Sequence, residues 1–154
     1  MVKLSTNNRT KIPNFDSETR ILIVDGDEIF AKFFKIHLNK YFSKVFVTGS
    51  SKEALQLFEA SPFDLVITDV NLPRIDGSSL VKRIRKLNGT TPFIFMTDSI
   101  LTDGQKEKLG DCAALLPKPF TLKQLHTCLR QGLVEKHGKP SNFLKESLAL
   151  LEEE

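Results

Sequence analysis

The chain reads as an α/β protein: a five-stranded, doubly wound parallel sheet with an extra helix at the C-terminal end. Three observations predict this. Five short apolar runs, several of them β-branched, recur along the chain, and each is followed by a stretch whose apolar residues fall at helical spacing. The connections between them are short, as in repeated strand–helix units that build a parallel sheet with helices on both faces. Four of the runs end in a polar residue, Asp25, Asp69, Thr97 and Lys118, as expected of buried strands that meet water at one end. The crossovers should be right-handed.

Residues 1–18 are rich in Ser, Thr, Asn and Lys, contain Pro13 and show little periodicity; they read as a flexible lead-in to a domain over 19–136. Arg20 to Val24 is the first strand, stopped by Asp25-Gly26-Asp27-Glu28. From Asp27 to Tyr41, Phe30, Phe33, Phe34, His37, Leu38 and Tyr41 recur at helical spacing, with Asp27 as N-cap. His37 lies inside that pattern and reads as a packed or boundary histidine, not a catalyst. Lys44 to Thr48 is the second strand, and Ser51 to Ala60 a short helix ended by Ser61-Pro62. Leu65 to Thr68 is the third strand; Asn71, Pro73 and Gly77 enforce a loop after it. Gly77 to Leu87 carries Leu80, Val81, Ile84 and Leu87 on one helical face, with Asn88-Gly89 as the stop. Pro92 to Thr97 is the fourth strand, followed by a polar, poorly patterned helix over 101–109. Ala113 to Leu116 is the fifth strand, and Leu122, Leu125, Cys128, Leu129 and Leu133 mark the last helix of the domain.

His137-Gly138-Lys139-Pro140 breaks this pattern. Residues 137–154 then read as a linker and an amphipathic helix, with Ser141 as cap and Phe143, Leu144, Leu148 and Leu151 on one side. The acidic end Glu152-Glu153-Glu154 is unfavourable for the helix dipole. This helix either packs on its own domain, pairs two copies as a homodimer, or begins a longer helix.

With 154 residues and 40% hydrophobic content, the chain suits one domain with a full core. A net charge of +3, with basic residues dispersed apart from Lys82-Arg83-Ile84-Arg85-Lys86, argues against nucleic acid as a partner; that basic run reads as a solvated helix face. No apolar run approaches the ~20 residues needed to span a bilayer, and the polar N-terminus lacks a signal-peptide core. Cys112 and Cys128 form no disulfide or metal framework, so reduced thiols in a cytoplasmic protein are expected.

In a parallel sheet all strand C-termini share one edge, which gathers Asp25, Asp69, Thr97 and Lys118. Asp69 alone could be a turn cap, since Asp is common at strand ends. Together the four carry more. Adjacent carboxylates repel unless a cation or proton intervenes, and hard oxygen ligands select Mg²⁺. A lysine and a hydroxyl beside them supply charge and hydrogen bonds for phosphoryl oxygens. This points to Asp69 as a nucleophile that forms an aspartyl phosphate, Asp25 as a metal ligand, and Lys118 with Thr97 as phosphoryl-sensing groups.

These residues resemble the response-regulator receiver domain of two-component signalling. The resemblance rests on Ile21-Leu22-Ile23-Val24-Asp25, on Asp64 to Asp69 with Pro73 and Asp76-Gly77, and on Pro92 with Thr97 and Lys118-Pro119-Phe120, and spans about Arg20 to Lys136. It implies a flavodoxin-like strand order 2-1-3-4-5. It also implies a phosphoryl group donated to Asp69 by a sensor histidine kinase or phosphotransfer protein, and Mg²⁺ that takes the backbone carbonyl of Asn71 as a ligand. The Lys118–Pro119 peptide should be cis. No enzymatic activity is implied beyond self-catalysed phosphoryl transfer and autodephosphorylation at Asp69. With only a linker and one short helix after Lys136, output should be contact with a downstream protein. The usual switch surface would here comprise residues 101–109, 113–116 and 121–136.

Three positions depart from the family pattern. Gly26 stands where a second acid normally ligates the metal, which should weaken Mg²⁺ binding; Asp27 or Asp98 could substitute, although Asp27 is the expected helix cap. Asp98 follows Thr97 where a small residue is usual, and as a plain reading is a solvated loop acid. Leu115 replaces an aromatic that often moves with the hydroxyl, and reads as core. Two versions stay open: a working phosphoacceptor, favoured by Asp69, Thr97 and Lys118 together, and a degenerate receiver that docks without phosphate, favoured by Gly26. A rival class is also in play. Asp25-Gly26-Asp27 resembles the nucleophile motif of haloacid-dehalogenase-like phosphatases, with Asp25 as nucleophile, but Ile29-Phe30 stand where a hydroxyl is expected and the Asp69 loop goes unexplained.

Overall fold

The computed structural model of the chain describes residues 19–110 and 114–137. Five strands, β1 (Arg20–Val24), β2 (Lys44–Thr48), β3 (Leu65–Asp69), β4 (Phe93–Thr97) and β5 (Ala114–Pro117), alternate with five helices among the described residues. The helices are α1 (Glu28–Leu38), α2 (Ser51–Ala60), α3 (Gly77–Leu87), α4 (Asp103–Leu109) and α5 (Leu122–His137). All neighbouring strands pair in parallel in the order β2-β1-β3-β4-β5, the order the family resemblance implies. The reversal of direction in that order falls between β1 and β3, where open α/β sheets place their ligand crevice.

Strand period divides the core into two halves. Ile21 and Ile23 of β1 and Ile94 and Met96 of β4 face α1 and α5, where Phe34, Leu38, Leu125, Leu129 and Leu133 close the layer. Leu22, Val24, Phe93 and Phe95 face the other side, against Ala54 and Phe58 of α2 and Leu80, Val81 and Ile84 of α3. Residues such as Ile21, Leu22 and Phe93 are fully shielded from water, and burial of each such side chain contributes about 1.5–3 kcal/mol. This explains the unbroken apolar runs of the three central strands: all five positions of β4 and four of five in β1 and β3 are buried. Pro117, which cannot donate to a ladder, is confined to β5, an edge strand.

Side-chain caps start the helices. The carboxylate of Asp27 accepts from Phe30 N, Ser50 Oγ from Glu53 N and Asp76 Oδ1 from Ser79 N. Thr102 and Gln105 form a reciprocal capping box that starts α4 in spite of its poor patterning.

The elements differ from the sequence expectation at their ends. α1 stops at Leu38, not Tyr41: Lys40, Tyr41 and Phe42 turn back onto the carbonyls of His37 and Leu38. Phe33, expected on the inner face, is 69% exposed, because Phe30 and Phe34 already fill the space over the sheet. Leu87 is likewise half exposed at the last turn of α3. α3 ends at an extended Asn88, and the left-handed glycine that terminates a helix is Gly110 after α4 (φ +66°), not Gly89. β5 runs one residue further than expected, to Pro117, while its expected first residue, 113, lies outside the described residues; α5 includes His137, the first residue of the expected break. The lead-in 1–18 and the helix expected over 141–154 lie outside the described residues. No helix among the described residues is long and apolar enough to cross a membrane.

Candidate functional site

Parallel pairing delivers the predicted side chains to one edge. Asp25 follows β1, Asp69 ends β3, Thr97 ends β4 and Lys118 follows β5. Lys118 Nζ donates to Asp25 Oδ2 at 2.7 Å and to Asp69 Oδ2 at 3.1 Å. One ammonium therefore holds two carboxylates that come from opposite sides of the β1–β3 switch point, an arrangement that relieves their mutual repulsion. Burial opposes the charge on Lys118, but hydrogen bonds and attraction from Asp25 and Asp69 outweigh it and raise its pKa above the ordinary lysine value. The ammonium also stands 4.5 Å from the centre of the Phe30 ring. Phe30, Phe34 and Phe120 pack edge to face beside it and form an aromatic wall.

The remaining carboxylate oxygens are held by the backbone in the same way. Asp27 N donates to Asp25 Oδ1 at 2.8 Å and Asn71 N to Asp69 Oδ1 at 3.2 Å. Each acid thus closes a turn onto the residue two places on, a habit of Asp at strand ends. The turn-cap reading and the reactive reading of Asp69 are both realised in one side chain. The two acids differ in access: Asp25 is 2% exposed and the Asp69 side chain 16%.

Thr97 is buried beside this cluster, and its carbonyl accepts from Lys118 N at 2.6 Å. Its hydroxyl, however, donates to Ser99 O (2.9 Å) and accepts from Ser99 N (3.2 Å), so it serves its own loop and not the carboxylates. The Lys118–Pro119 peptide is cis, as the resemblance implies. His37 is a packed histidine: Nε2 lies 3.1 Å from His126 Nε2, well away from this edge in the α1–α5 layer.

The three departing positions take defined places in the structure. Asp27 does cap α1, so that oxygen is engaged. Asp98 is exposed, and among the described residues no hydrogen bond or ion pair joins it to Asp25, Asp69 or Lys118. It lines, with Thr97, Lys106, Leu115 and Lys118, a cavity of about 340 Å³ where the β4–α4 loop and α4 meet the end of β5. Leu115 is only partly buried there, not plain core. Gly26 is exposed with an ordinary backbone, and a Cβ placed on it would meet nothing closer than Pro73 Cδ at 3.8 Å. No steric demand explains glycine at this position.

Two carboxylates of hard oxygen fit Mg²⁺, which is commonly held by one or two carboxylates together with water and phosphate oxygens. Among the described residues no cluster of three or more acidic, His or Cys donors exists, so the set suits the ion in kind and is spare in number.

The side chains that sequence reasoning missed are Phe30, placed in the core pattern but walling the ammonium, and the backbone clamps from Asp27 and Asn71. The Asp-x-Asp and Asp-x-Asn spacings at two strand ends were the available signal.

A five-stranded sheet in this order, with two acids and a lysine on its C-terminal edge, defines a receiver. The chain belongs to the response regulator receiver domain family, whose model matches residues 21–130. It is 30% identical over 135 residues to the transcription factor SKN7 of Candida albicans, which covers 86% of this chain and 24% of that relative. The solved signal receiver domain of an HD domain-containing protein from Pseudomonas fluorescens is 29% identical with a TM-score of 0.69, covering 79% of this chain and 98% of that one. The receiver domain of HemR from Leptospira biflexa, in its non-phosphorylated form, is 32% identical with a TM-score of 0.66, covering 75% and 94%. The matched stretch spans between 19% and 62% of the first curated relatives' own length. Domains of this family are signalling modules, generally not enzymes, that interact with histidine kinases or phosphotransfer proteins and with downstream effectors, and that typically bind Mg²⁺.

Proposed function

We propose that this chain is a working response-regulator receiver that accepts a phosphoryl group on Asp69 from a sensor histidine kinase or phosphotransfer protein and passes the signal to a downstream protein in the cytoplasm. The observation that carries this reading is the unequal access of the pair under Lys118: both acids have both oxygens engaged, but the Asp69 side chain reaches solvent while Asp25 is almost wholly buried. The same inequality speaks against Asp25 as a phosphatase nucleophile.

An oxygen of Asp69 attacks phosphorus; the bond to the donor's histidine nitrogen breaks, and the imidazole leaves with its electron pair. Lys118, already within hydrogen-bond reach of Asp69, neutralises charge on the transferred phosphoryl oxygens. Thr97 would give up its bond to Ser99 O and donate to the phosphoryl group, which moves the 97–99 loop beside β5. That loop and residues 101–109, 113–116 and 121–136 are the surface a downstream protein would read. Mg²⁺, held by Asp25, Asp69 and the Asn71 carbonyl, would supply positive charge opposite the incoming phosphoryl oxygens. The domain needs no contact with nucleic acid or membrane for this. Hydrolysis of the aspartyl phosphate by the domain itself would reset it.

Gly26 favours a second reading, a receiver that docks without phosphate. Intact mass spectrometry after incubation with Mg²⁺ and acetyl phosphate separates the two. Gain of one phosphoryl group by the wild type and none by Asp69→Asn is the expected outcome; no gain by the wild type at high Mg²⁺ selects the docking module.

A further inference from the structure

A second concavity, of about 590 Å³, adjoins the carboxylate edge between the turn that precedes α2 and the loop between β3 and α3. It borders the acceptor turns without including them: Pro73 lines it and stands 3.8 Å from a Cβ placed on Gly26. Lys52 of α2, Arg74 of the loop and Arg83 of α3 bring positive charge to its wall from three separate elements, and Leu55, Pro73 and Ile75 give it apolar surface. Among the described residues no acidic residue lines it and none of the three cations has an ion-pair partner. Lys118, by contrast, is neutralised by two carboxylates. Three unpaired like charges around one concavity repel each other and leave a positive potential that a multivalent anion relieves. The basic run over 82–86, read from sequence as a solvated face, thus contributes Arg83 to a lined cavity. The volume lies in the ~300–1,000 Å³ range of small-ligand pockets, which favours an enclosed small molecule over a polymer laid on a flat surface.

We propose that this cavity binds a small organic phosphate, with the phosphate on Lys52, Arg74 and Arg83 and the apolar body against Leu55, Pro73 and Ile75. The assignment does not rest on phosphoryl transfer at Asp69.

The test is an amide NMR titration of the full chain with phenylphosphonate, whose carbon–phosphorus bond prevents it from acting as a phosphodonor, beside inorganic phosphate and benzyl alcohol. Saturable shifts centred on Gly49, Lys52 and Ile75 are expected, with a Kd at least about tenfold below that of inorganic phosphate and a further loss of at least about tenfold in Arg74→Gln/Arg83→Gln. Asp69→Asn should titrate like the wild type. Shifts centred on Asp69, Thr97 and Lys118, an equal affinity for inorganic phosphate, a response to benzyl alcohol as strong as to phenylphosphonate, or a Kd unchanged in a double variant of native circular dichroism would each overturn the proposal.

Discussion

Gly26 is the residue on which the strength of the site turns. Its conformation is one any residue adopts, and the space around its missing Cβ is open. Gly26→Asp is therefore expected to fold normally and to tighten Mg²⁺ binding by at least about tenfold (about 1.4 kcal/mol), read by calorimetric titration. An unchanged affinity would show that the third acid of the family pattern has no role here. A second residue-scale effect lies in the other layer, where His37 and His126 meet at 3.1 Å under Tyr41. Burial, and then the neighbouring His37, lowers the pKa of His126 to about 4; burial and then Lys40 lower that of His37. The folded state thus favours neutral imidazoles, while the unfolded chain takes up protons near pH 6.5. For His126 the stabilisation is fully present above that value and is lost as pH falls from about 6.5 towards 4, at up to about 1.4 kcal/mol per pH unit; His37 acts in the same direction. Urea midpoints measured at pH 7 and pH 5 should show this fall in the wild type and a smaller one in His126→Phe.

The elements show what sequence reading could and could not reach. The cap at Asp27 follows from a short polar side chain before a periodic run and is realised, whereas the cap that Asp76 gives α3 was not anticipated. Hydrogen bonds from Ser79 N and then Ser78 hold the Asp76 carboxyl below its usual pKa, so the contribution of this cap persists at neutral pH and fades as pH falls through that lowered value. Asp76→Ala is expected to cost about 0.5–2 kcal/mol in chemical denaturation at pH 7. The helical period alone could not orient α1. Its apolar residues lie on two faces: Ala31, Phe34 and Leu38 inward, and Ile29, Phe33 and Ile36 outward at 61–71% exposure. A sequence pattern marks both sets alike, and only the width of the sheet beneath decides which is covered. The C-terminal end of β5 was misjudged for a related reason: Pro117 is admitted by an edge strand, and strand position in the sheet is a tertiary property.

At the scale of the molecule, the sheet and the gathering of Asp25, Asp69 and Lys118 were legible because parallel topology fixes which strand ends meet, across sequence separations of 49 and 93 residues. Loop geometry was not. The turn of the Thr97 hydroxyl onto Ser99, the position of Asp98 away from the carboxylates and the aromatic wall from Phe30 depend on local backbone paths that no periodicity encodes. Function turns on which of two carboxylates under one lysine takes the phosphoryl group. Borohydride reduction of the acetyl phosphate-treated protein converts an aspartyl phosphate to homoserine, which peptide mass mapping then locates. Homoserine at position 69, and at no other, is the predicted result; homoserine at position 25, or none at all in the presence of Mg²⁺, would contradict it.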